Sequence, residues 1–243
     1  MNKKILVILT SLLFVGLAFP VSPVQAQEQE AETISIGEVS DPGILPDSPF
    51  YFAKGWGRAI RSFFTFNTQE KAKLALRFAN EDALAIQELC DQGECQLAEK
   101  HCEKFQEQFQ RAIQWMEEAR QEGKDVEELI EKMEENHLRQ QQVLAGVLEK
   151  APEQAQEGIL NAIANSSVGL ENAIERVQGK HNMEQFREEL NLQLNNMGEE
   201  TRLRIEERLE RKRHKPEEVP VGESQQEEPQ QQESSQQNRG GNK

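Results

Sequence analysis

The apolar residues of this chain return every three to four positions from Phe52 to Leu209, and nowhere do β-branched and aromatic residues alternate at period two. That period lines apolar side chains along one face of a helix and gives a strand nothing to bury, so the chain reads as all-α. The gaps between stripes carry helix punctuation. Ser48-Pro49 opens a first, short helix, with Ser as cap and Pro at the first helical position, where its missing N–H costs nothing. Thr68 caps a second running to about Cys90, and a third spans Glu94 to about Gln121, stopping at Gly123. Asp125 with Glu128 forms a capping box for the fourth, Pro152 opens a fifth ending at Gly179, and Asn182 with Gln185 opens a sixth reaching Arg213. Connections of a few residues favour antiparallel neighbours. The expected architecture is an antiparallel bundle of about six helices, the first short and aromatic-rich, between disordered termini.

The ends differ from this body. Lys3 and Lys4 precede an uncharged apolar run from Ile5 to Phe19, and Val24-Gln25-Ala26 supplies small residues for cleavage between Ala26 and Gln27. Residues 1–26 thus have the build of an export signal. The alternative is an uncleaved anchor, but the run is shorter than the roughly 20 residues that span a bilayer, and Pro20 ends it. Gln27 stands where a lipid-modified Cys would be, and no later apolar run offers a stable membrane span. Residues 27–41 read as a flexible lead-in and 42–213 as the helical domain. In 214–243, rich in Gln, Glu and Pro, the apolar side chains of Val219 and Val221 are too few to offset the entropy of ordering, so this tail is expected to be disordered. The protein is expected outside the cytoplasm, in a periplasm or the medium. Loss of Lys3 and Lys4 takes the formal charge from −15 to −17. Such a surface repels nucleic acid and anionic lipid, and its long-range pull on basic partners is screened beyond about 10 Å.

Seven of the twelve aromatic residues that follow Ala26 lie between Phe50 and Phe66. The run G-I-L-P-D-S-P-F-Y-F-x-K-x-W-G from Gly43, followed by F-F-T-F and E-K-A-K-L-A-L-R-F-A-N-E, resembles the start of domain of unknown function 5667, a group of exported or membrane-attached prokaryotic proteins. The later HLRQQQVLAGVLEKAPEQAQEGILNAI resembles the family's second half, so the resemblance spans roughly Asp41 to Val177. It implies export and a helical fold, and it brings no activity, cofactor or catalytic residue. Ala53, Gly55 and Arg58 depart from it, standing where a large apolar, a basic and an acidic residue are expected.

Phe50, Tyr51, Phe52, Trp56, Ile60, Phe63 and Phe64 are expected to form a wedge that closes the core. Burial would contribute roughly 1.5–3 kcal/mol per large side chain, whereas exposure would leave an unusually large apolar patch. A docking surface for a protein partner is the second reading. A membrane-surface helix, with Lys54, Arg58 and Arg61 beside the rings, is the third. Gly55 and Gly57 each weaken the helix by about 1 kcal/mol relative to Ala, so it is expected to form on docking.

Three cysteines follow the signal. Cys90 and Cys95 face each other across a helical hairpin, the natural disulfide, with Cys102 left as a buried thiol. Cys95 and Cys102 cannot bridge, since seven residues of helix rise about 10 Å. The alternative gathers Cys90, Cys95, His101 and Cys102 into a soft-metal or redox site, against the unusual C-x4-C-x6-C spacing and the divergent directions of His101 and Cys102. His137 follows Glu134 at i+3, the Glu-x-x-His unit of di-iron bundles, but the second unit is missing, so His137 reads as a core group. Arg202, Arg204, Arg208, Arg211, Lys212 and Arg213 complement the dipole of the last helix. No phosphate-binding Gly loop, nucleophile elbow, HExxH or EF-hand loop occurs. The expectation is a non-enzymatic extracytoplasmic module without cofactor, serving protein interaction or structure. The alternative is a metal or redox sensor at the cysteine hairpin.

Overall fold

The structure, a computed structural model, describes residues 35–214. The signal with its Ala26/Gln27 cleavage point, most of the lead-in and all but His214 of the tail lie outside the described residues. Seven α-helices follow in order: α1 (Tyr51–Phe64), α2 (Thr68–Asp91), α3 (Cys95–Gln121), α4 (Glu127–Lys150), α5 (Glu153–Val177), α6 (Lys180–Leu194) and α7 (Glu199–Arg213). The described residues form a helical bundle without strands. α2 packs on α3 and α4, α5 packs on the same two, and α6 and α7 cover α5 while touching α4. The stripes meet inside. Phe105, Phe109 and Met116 of α3, Ile130, Met133 and Leu144 of α4, Ile159 of α5 and Phe186 of α6 are all buried.

Local chemistry sets the boundaries. α2 ends because Gly93 takes a left-handed φ of 84°, letting the Gly93 and Glu94 amides donate back to Cys90 and Leu89 carbonyls. α1 begins three residues after Ser48, not at it. The Ser48 hydroxyl accepts from the Phe50 amide at 3.3 Å, and its carbonyl from Tyr51, so Ser48-Pro49 makes the turn before the helix. Asn67, not Thr68, caps α2, its side-chain oxygen accepting from the Gln69 and Glu70 amides. The Thr68 hydroxyl instead donates to Glu122 at 2.8 Å. Asp125 accepts from the Glu127 amide at 3.0 Å, a shorter cap than the box expected with Glu128.

The expected sixth helix is two. Asn195-Asn196-Met197-Gly198 breaks it, and α7 turns so that Thr201, Ile205 and Leu209 are buried. The basic end then does more than complement a dipole. Arg208 grips both carboxylate oxygens of Glu157 at 2.6 Å, and Arg213 joins Arg187 on the buried Glu171. Ion pairs thus fasten α7 across α5.

The lead-in is not flexible throughout. Ile36 and Val39 exchange backbone hydrogen bonds of 2.8 and 3.1 Å and are both buried. Asn80 donates to the Ile36 carbonyl while accepting from Gln140, tying this turn to α2 and α4. Gly37 has φ of 60°, and a Cβ there would lie 2.8 Å from the Asn136 side chain, so both conformation and space require glycine.

Candidate docking surface

α1 has two chemically opposed sides. Tyr51, Lys54, Arg58 and Ser62 recur on one; Phe52, Trp56, Ile60 and Phe63 recur on the other. The polar side faces the bundle. Arg58 reaches Asp82 and Glu81 of α2, each at 2.9 Å, and the Phe78 carbonyl at 3.3 Å, with its guanidinium 4.8 Å from the centre of the Phe78 ring. Lys54 donates to the Pro42 carbonyl at 2.6 Å. Lys104 of α3 donates to the Tyr51 hydroxyl at 3.0 Å, and the Tyr51 ring meets His101 edge-on at 5.6 Å.

The apolar side faces outward. No residue of α1 is buried. Tyr51 is half-buried. Phe50, Phe52, Trp56, Ile60, Phe63, Phe64 and Phe66 are between 58 and 80 % exposed, so the expected core wedge is corrected to an external ridge. The reason lies in α2. Asp82 is fully buried on an otherwise apolar stripe between Ala79 and Ala83, and burial pushes its carboxyl up against the pull of Arg58. An unpaired buried carboxylate is costly. Turning the rings inward would carry Arg58 away from Asp82, whereas the core closes without any side chain of α1. Glu81 and Asp82 are thus positioning residues that the sequence reading did not single out, and Lys54 and Arg58, read there only as basic side chains beside the rings, position α1 on the bundle. Their signal was a cation pair at i,i+4 opposite the rings, together with an acid in the α2 stripe.

At the α2–α3 hairpin Cys90 and Cys95 form a disulfide, with Cα atoms 4.2 Å apart. Cys102 is a buried free thiol, pushed up to about 12 by burial and by Glu99 and Glu103. His101 is buried beside Tyr51, and burial with Lys104, Lys54 and Arg58 nearby lowers it to about 4. The expected alternative ligand set is not assembled, because the sulfurs of Cys90 and Cys95 are bonded to each other. Among the described residues, no group of three or more His, Cys, Asp or Glu is placed to hold a metal ion.

His137 lies in the core between the Phe109 and Phe186 rings, 3.1 Å from the Ser167 hydroxyl, and burial lowers it to about 3. Glu134, one turn before it, has a buried oxygen without a hydrogen-bond partner. Burial, then Glu189, Glu131 and Glu127, raise it to about 7.

Residues 43–154 match the sequence model of a family described as domain of unknown function (DUF5667). This segment is a DUF5667 domain. It holds the whole of α1 and every anchor of α1 on α2 and α3, so the exposed ridge is a feature of the DUF5667 segment rather than of α6 and α7. The match ends just inside α5, short of the Val177 limit read from the sequence. No curated protein and no solved structure matches the chain. Among the described residues, no helix is long and apolar enough to cross a membrane.

Proposed function

We propose that this protein is a non-enzymatic docking module acting outside the cytoplasm, with the aromatic ridge of α1 as its contact surface. One observation carries this reading: α1 spends its charged side on the bundle and leaves its apolar side in water. From side-chain areas of 150–250 Å² each, the seven exposed residues offer roughly 1,000 Å². Single-chain soluble proteins seldom show a patch above about 600 Å², and one side of a standard interface needs about 800 Å². Seven of the ten large apolar residues exposed among the described residues fall in this one stretch, so scatter does not account for it. The location rests on the signal-like residues 1–26.

A photo-cross-linking amino acid at position 56, compared in producing cells with one at the exposed Glu207 of α7, tests the reading. Adducts are expected at position 56 and not at 207. Equal adducts at both positions, or none at 56, overturn it.

A further inference from the structure

We propose that the α1 ridge docks on a lipid bilayer surface carrying anionic headgroups. This inference rests on the docking reading above and names its partner. Shape comes first. α1 is a convex rod about 21 Å long at 1.5 Å per residue, with Phe50 and Phe66 extending the apolar line past both ends. A Cβ added at Gly55 or Gly57 would meet nothing within 4 Å, so the helix is open to its surroundings at both glycines. A helix whose apolar face is free and whose polar face is backed by protein has the orientation an interfacial helix needs. Its rings can enter the boundary of headgroups and acyl chains while the bundle stays in water.

Charge points the same way. Residues 48–82 hold six basic side chains against three acidic ones, while the remaining residues hold 22 against 40. On one flank of α1, Lys71 and Arg111 line the hollow beside Ser62. On the other, Arg61, Lys73, Arg77 and Lys132 share a hollow beside Phe64 with Glu38, Glu70, Asp125 and Glu128, so the basic flank is the one beside Ser62. Most of the acidic side chains thus belong to other segments, and salt screens those beyond about 10 Å. Repulsion from anionic lipid, expected for the chain as a whole, does not extend to this face. A second copy of α1 would bring two segments of net positive charge, residues 48–82 of each chain, against each other. Residues 215–243 contribute only Val219 and Val221 as apolar cover.

Flotation of the chain from residue 27 onward tests the proposal, with vesicles of phosphatidylcholine alone and of phosphatidylcholine mixed with phosphatidylglycerol. Binding to the mixed vesicles is expected at least about tenfold above the neutral ones, from roughly a fivefold gain per basic residue near the surface. The double substitution Trp56→Ser, Phe63→Ser should lower it by tenfold or more. Both side chains lie outside the bundle, so unchanged circular dichroism is expected of the variant. In a Trp115→Phe background, Trp56 emission should shift to the blue on mixing with the anionic vesicles. Three results would overturn the proposal: no flotation with the mixed vesicles, equal flotation with both kinds, or flotation that survives the double substitution. Protein adducts at position 56 without flotation would leave docking standing and remove the lipid. Absence of any adduct at 56 would remove docking itself.

Discussion

Arg58→Ala should release α1 without unfolding the bundle. The wild-type side chain makes two ion pairs, one carbonyl hydrogen bond and a ring contact, all on α2. Its loss leaves Asp82 as a fully buried, unpaired carboxylate for as long as α1 stays docked. Breaking a buried pair from one side costs about 3–5 kcal/mol. Lys54 on the Pro42 carbonyl and Lys104 on Tyr51 oppose this with about 1 kcal/mol each. No buried apolar residue of α1 adds to them. Undocking therefore wins, because it returns Asp82 to water. A free helix of 14 residues with two internal glycines is too short to persist. Hydrogen exchange read by mass spectrometry on peptides covering α1 should accelerate by about a hundredfold, taking about 3 kcal/mol at tenfold per 1.4. Peptides from α5 should keep their wild-type rates. Arg61→Ala, on the same helix but forming no ion pair or side-chain hydrogen bond with α2, is the control and should leave α1 unchanged. If α1 stays protected in Arg58→Ala, apolar contacts hold it, and the account of its orientation is wrong.

Two further outcomes concern Glu134 and the α2–α3 bridge. Glu134 is raised to about 7, so the stability from its neutral form is complete below its ordinary 4.5 and is lost as pH climbs to 7. Glu134→Gln should therefore gain thermal stability over the parent between pH 4.5 and 7, and parallel melting curves across that window would count against the burial assigned to it. Cys90→Ser with Cys95→Ser removes a bridge closing a short loop, worth about 2 kcal/mol, which lowers the melting temperature by roughly 4–8 °C. An unchanged transition under oxidising conditions would show that the bridge adds nothing to stability.

What the sequence made legible was local. Phe105, Phe109, Ala112 and Met116 repeat at helical spacing on a long segment, and they are buried where that spacing puts them. Cys90 and Cys95 flank a four-residue turn, so helix geometry alone brings them together. The misses were tertiary. A break after Leu194 and the docking of Ile36 under Asn80 depend on surfaces that other helices supply, here the Glu157 and Glu171 side chains of α5 and the Gln140 amide of α4. Period and capping say where a helix can exist; they do not say which neighbour completes it.

The orientation of α1 is the sharpest instance. Its spacing resolves two faces without ambiguity, and the hydrophobic effect alone would bury the rings. The choice is made about 20 residues downstream, by one carboxylate set into the core-facing side of α2. Asp82 is cut off from water while α1 is docked, so the cation that satisfies it must face inward, and the rings go out with the other side of the helix. A single buried acid thereby turns an ordinary amphipathic helix into a displayed one. The same pair that holds the ridge in place also turns Arg58 inward, so the docking proposed for the ridge would rest on the rings and on Lys71 and Arg111 beside them.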